Sequence, residues 1–117
     1  MTYIRILFLG ILLFISFTAH AQPNKLSYIF DLCEAENGLC QKKCKVEVVK
    51  GNKLELGSYI KVYLDKELIT EGYILKHMNG GILILKSKKD ALDPNVCGGC
   101  CGEAYMIDIK KKQIWGC

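Results

Sequence analysis

Arginine is almost missing from this chain. Lys and Arg together number 16 in 117 residues, and Arg5 is the single arginine. Arginine is the side chain best suited to two-pronged contacts with phosphates and base edges, so its scarcity weighs against specific nucleic-acid recognition. Histidine is also scarce, with His20 and His77 only. No Ser-His-Asp or Cys-His pattern has supporting context, and the acids Asp65, Glu67 and Glu71 read as a solvated turn rather than paired catalytic carboxylates. The longest apolar run, Ile6 to Phe17, spans 12 residues, whereas a membrane-crossing helix needs about 20.

That run sits in a leader-like context. A short positive start ending in Arg5 precedes it, and Ala19-His20-Ala21 follows as an A-x-A exit. Residues 1–21 are therefore expected to be a cleavable signal peptide, with Gln22 first in the mature chain. No Cys lies near the exit to carry a lipid, and no transmembrane segment is expected in the mature chain. The protein is expected to be exported, to a periplasm or to the outside. The Ala21-Gln22 junction and the Lys/Ile/Leu-rich composition suggest a bacterium. Cleavage removes Arg5, taking the formal net charge from +4 to +3. The clusters Lys42/Lys43/Lys45, Lys86/Lys88/Lys89 and Lys110–Lys112 read as a solvated rim.

Cysteine is abundant, at seven residues: Cys33, Cys40, Cys44, Cys97, Cys100, Cys101 and Cys117. In a small exported chain this density reads as a disulfide framework. Cys97, Cys100 and Cys101 are expected to bridge to Cys33, Cys40 and Cys44, because the adjacent Cys100 and Cys101 are too close to pair with each other. An odd count leaves one thiol unpaired. Cys117, the last residue, is a candidate for a bridge to a second copy, giving a covalent homodimer. The alternative function is metal binding. Cys97-Gly98-Gly99-Cys100-Cys101-Gly102 resembles a zinc knuckle, and Cys40 and Cys44 with Cys97 and Cys100 would complete four thiolates for zinc or copper. A lower-weight alternative is a thiol-disulfide oxidoreductase using Cys97-x-x-Cys100, for which the sequence offers no helix start to lower a thiol pKa. No other cofactor is indicated, and the partner and ligand are not readable.

Residues 22–44 read as an irregular Cys-rich segment, with a brief strand at 27–32 or a short helix at 41–44 as options. From Lys45 the pattern is β. Val46, Val48 and Val49 begin a strand, and Tyr59–Leu64 alternates with Ile60, Val62 and Leu64 on one face. Gly72 interrupts the next strand as a bend, Asn79-Gly80-Gly81 is a hairpin signal, and Ile82–Leu85 is apolar on both faces. Residues 87–103 form a long loop before two last strands at Tyr105–Ile109 and Gln113–Trp115. His77, beside the hairpin, reads as a surface residue. Tyr59, Tyr63, Tyr73 and Trp115 are candidates for an aromatic face, or for cover over a small core.

Residues 56–85, from Leu56-Gly57-Ser58-Tyr59 through the Asn79-Gly80-Gly81 turn to Leu85, resemble the first motif of Sm/LSm-type proteins, and more generally SH3-like modules. The resemblance implies a small barrel and places Asn79 where that family helps bind a base. The family's second motif, with its Arg-Gly pair, is missing, so the RNA role does not carry over. The expected fold is thus mostly β: a five- to six-stranded SH3/LSm-like barrel over 45–117, with an irregular disulfide-tethered segment at 22–44. The expected role is structural or binding, and non-enzymatic. Intact mass of the exported protein tests this: it should begin at Gln22, lack six hydrogens and carry one thiol. Seven thiols with bound zinc or copper would favour the metal alternative.

Overall fold

The structure is a computed structural model, and it describes residues 26–99 and 104–117. The proposed leader, Cys100, Cys101 and Gly102 lie outside the described residues. Seven strands form one closed barrel, in the order of the chain. They are β1 (Leu26–Glu34), β2 (Lys42–Lys50), β3 (Tyr59–Leu64), β4 (Glu67–Lys76), β5 (Ile82–Leu85), β6 (Tyr105–Asp108) and β7 (Gln113–Gly116). Neighbours are antiparallel except at the seam, where β7 lies parallel to β1 with Asp31 opposite Gln113 and Glu34 opposite Gly116.

The strand count is seven rather than five or six, and residues 26–34 are not irregular. Leu26, Tyr28, Phe30 and Leu32 alternate as a half-buried strand should. Phe30 is 1 % exposed, and Tyr28 and Leu32 pack against the core. The segment at 41–44 is likewise strand, not helix, because β2 begins at Lys42 and its inward residues Cys44, Val46 and Val48 join the same core. Ile60 and Val62 of β3, Ile74 of β4, Ile84 of β5, Ile107 of β6 and Ile114 of β7 complete it.

Two glycine-marked positions behave as their sequence context predicts. Gly80, with φ +101°, turns the β4–β5 hairpin, and the His77 N–H donates to the Gly81 carbonyl across it at 2.7 Å. At Gly72 the backbone of β5 comes so near that a Cβ would overlap the Leu85 carbonyl. The sheet bends tightly there, and only glycine leaves the room.

Both faces of β5 are covered. Ile84 points into the barrel, while Leu83 and Leu85 on the outer face are each 2 % exposed. A 3-10 turn at Lys88–Leu92 packs against β4 and β5. Further along the same loop, Gly98 lies over Leu83 and Met106 so closely that a Cβ would stand 2.7 Å from the Met106 Cγ.

The barrel's two ends differ. At the end where β2 passes to β3, the connecting loop folds inward: Leu54 packs on the core, and the buried Ser58 hydroxyl donates to the Lys53 carbonyl at 2.6 Å. The opposite end has no such plug. Gly72→Ala should destabilise the fold by about 1–3 kcal/mol, since the new methyl must displace backbone rather than a mobile side chain. Urea unfolding reads this as a lower midpoint with an unchanged slope.

Candidate functional site

The cysteines were the most distinctive sequence feature, and their pairing differs from the expected one. Cys33 bonds to Cys40, only seven residues away, with Cα atoms 4.0 Å apart. The bridge closes the β1–β2 loop instead of tying a loose segment to the barrel. Closing so short a loop contributes about 2.5 kcal/mol in the chain-entropy picture, less than a bridge across a long one. The same loop is tied by hydrogen bonds. The Glu34 N–H donates to the Leu39 carbonyl at 2.9 Å, the Gly38 N–H to the Glu34 carbonyl at 2.8 Å, and the Asn37 side-chain amide to the Glu34 carboxylate at 2.7 Å. Asn37-Gly38, midway between the two cysteines, was the signal for this local bridge.

Cys97 and Cys117 are each in a disulfide as well. Cys117 is therefore not a spare thiol for linking two copies. The free cysteine among the described residues is Cys44. It is 2 % exposed, and its thiol donates to the Phe30 carbonyl at 3.6 Å. A covalent homodimer through this sulfur would require opening the core. Burial pushes the Cys44 thiol up from 9.0 to about 11, and the Asp31 carboxylate adds to the shift. The four residues of the metal alternative are thus dispersed in chemistry: Cys40 and Cys97 are oxidised, Cys44 is held protonated in the core, and Cys100 lies outside the described residues. Among the described residues no group of three or more metal-ligating side chains converges. Cys97 itself lies outside the strands and the 3-10 turn at Lys88–Leu92.

His77 is buried at 3 % exposure, not a surface residue. The Asn79 N–H points at its Nδ1 from 3.3 Å, so that nitrogen accepts. The proton then sits on Nε2, which donates to the Asp93 carbonyl at 2.8 Å. With the Met78 N–H bonded to the Ala91 carbonyl at 2.8 Å, this clamps the long loop to the β4–β5 turn. Asn79 itself is exposed.

The aromatic candidates separate. Tyr59 and Tyr73 meet edge to face at 4.9 Å on neighbouring strands, with the Lys50 ammonium 5.7 Å from the Tyr59 ring. Desolvation raises the Tyr59 pKa, and the Glu71 carboxylate that accepts its hydrogen bond raises it further. Trp115 is on β7, three strands from β4 in the closed order. Lys61 stands between Glu47 and Glu71, so the face around the tyrosines is charge-balanced.

The candidate site is the unplugged barrel mouth. A hollow of about 210 Å³ lies between Leu32, Leu64, Ile69 and Tyr105, with Leu39 from the disulfide loop at its edge and Glu34, Gln41 and Lys42 on its rim. A register shift aims Ile69 there: Val62 faces Thr70 but Tyr63 faces Leu68, leaving Ile69 as a bulge packed against the core. Gly116 lets the Tyr105 ring lie across β7, since a Cβ would stand 2.6 Å from the ring's Cδ2. In the sequence Lys42 reads only as a rim charge, and Leu64 and Tyr105 only as the ends of alternating strands; Glu34, Leu39, Gln41, Ile69 and Gly116 carry no signal of a site.

No family model matches the chain, and no curated protein or solved structure matches it significantly. No helix among the described residues is long and apolar enough to cross a membrane.

The folded chain holds the Cys44 proton more tightly than the unfolded chain does. Its contribution is full below about pH 9 and falls as pH rises through about 11, amounting to about 3 kcal/mol in all. Cys44→Val removes this dependence. The variant should gain about 2 kcal/mol on the parent between about pH 8 and about pH 10.5, measured by urea unfolding. Parallel pH profiles would show that the thiol is not buried.

Proposed function

We propose that this chain is an exported, disulfide-braced β-barrel binding module, and that the open mouth is its binding site. The observation that supports it is the difference between the ends. One end carries an inward-folded loop with Leu54 and a fully bonded Ser58, whereas the other keeps a hollow of about 210 Å³. Small barrels commonly hold ligands at their mouths. The walls are also held in advance, by the Cys33–Cys40 bridge and the hydrogen bonds of its loop, which lowers the ordering cost of binding. Export is read from the leader and from the oxidised state of Cys33, Cys40, Cys97 and Cys117, since such bridges persist in oxidising compartments. The Sm/LSm- or SH3-like likeness of residues 56–85 is read as shared barrel architecture, not shared activity.

Toluene is a suitable first probe, because a cavity of about 150 Å³ already accepts benzene. Its addition should shift the amide resonances of Leu32, Leu64, Ile69 and Tyr105 and raise the melting temperature. Leu64→Trp, which fills the hollow, should abolish both effects. Shifts centred elsewhere, or unchanged in the filled variant, would refute the site.

A further inference from the structure

We propose that the mouth binds a free apolar α-amino acid as its zwitterion, with the side chain in the hollow, the carboxylate at Lys42 and the ammonium at Glu34. This rests on the mouth being the binding site.

The argument begins with register. On β1, residues Tyr28, Phe30 and Leu32 face inward, and Glu34 is the next position of that face. On β2, Val48, Val46 and Cys44 face inward, and Lys42 is the next. At the mouth, then, two positions that the pattern elsewhere fills with apolar residues carry opposite charges. Both line the hollow. Lys42 lies opposite Leu32, two residues along β1 from Glu34.

Neither charge is neutralised by an opposite charge among the described residues. Glu34 and Lys42 form no ion pair with each other or with another described residue, while neighbouring Lys43 pairs with Asp31. The Glu34 carboxylate accepts the Asn37 amide through Oε2, and its other oxygen has no partner among the described residues. A neutral hydrocarbon would leave both charges idle, and a simple anion or cation would use one and be repelled by the other. A zwitterion uses both, and a charge-assisted hydrogen bond at each end fixes its orientation.

Size sets the rest. The hollow of about 210 Å³ exceeds the roughly 150 Å³ that accepts a benzene ring, so it has room for a leucine- or phenylalanine-sized body. It does not continue into the barrel. Phe30, Cys44 and Ile114, two residues further in from Leu32, Lys42 and Gly116, are each at most 2 % exposed and close the floor.

Four probes sharing one body test this on the full mature protein: L-phenylalanine, its amide (a cation), 3-phenylpropionate (an anion) and toluene. Titration by amide chemical shift should rank L-phenylalanine first, with each single-charge analogue about threefold to fivefold weaker, the scale of one rim ion pair. Lys42→Gln should erase the advantage over the amide, and Glu34→Gln the advantage over the acid. Both positions are exposed, so these variants should fold. Toluene or either single-charge analogue binding as tightly as L-phenylalanine would overturn the zwitterion while leaving the mouth as a site. Failure of all four to shift the mouth residues would overturn both. A short peptide ending in phenylalanine that outcompetes the free amino acid would replace the free ligand with a chain terminus and overturn this proposal too.

Discussion

Asp31–Glu34 and Gln113–Gly116 lie side by side in parallel, although nearly the whole described chain separates them. Without that seam the seven strands would be a curled open sheet, with β1 and β7 as bare edges. With it, every strand has two neighbours, and the inward faces of all seven meet around one core. The seam also delivers Glu34 and Gly116 to the same end of the barrel. It therefore positions the disulfide loop, the Tyr105 ring and the mouth together. Its backbone pairing is extended on either side. The Asp31 N–H donates to the Lys112 carbonyl and the Ala35 N–H to the Gly116 carbonyl, each at 2.8 Å.

The outer surface is organised by a second layer rather than left to solvent. The Cys97–Gly99 segment rests on Leu83 and Met106, and Gly99 reaches the disulfide loop, where a Cβ on it would be 3.6 Å from the Ala35 Cβ. The two cysteine-bearing regions thus do meet in space. Gly99 packs there against the loop that the local Cys33–Cys40 bridge closes. A chain of this size has a limited core, so covering β5 on its outside adds burial where the barrel interior has no more to give.

Much of this was legible from residue order. The strict alternation of Tyr59–Leu64, the Asn79-Gly80 turn, the bend at Gly72 and the two-sided apolar run Ile82–Leu85 all correspond to what the chain forms. Residues 26–34 carried the same alternation through Tyr28, Phe30 and Leu32, but the cysteines after them drew the reading toward irregular structure. The burial of His77 was not legible, since it depends on Asp93 and Ala91 arriving from a loop with no periodic signal. The mouth was hidden for a different reason. Lys42 and Glu34 look like ordinary rim charges until the register of β1 with β2 shows which face they share, and register is a long-range property that local pattern does not fix.

The parallel seam also bears on the order in which the molecule is made. Pairing residues 31–34 with 113–116 requires closing a very long loop, and contacts of such separation form late and slowly. The Cys33–Cys40 bridge, by contrast, spans a hairpin turn and needs no other part of the fold. Cys44 lies four residues beyond it and is 2 % exposed once the barrel has closed. Until then it is an ordinary reactive thiol among six potential partners. Barrel closure thus also shields the Cys44 thiol from exchange with the chain's disulfides.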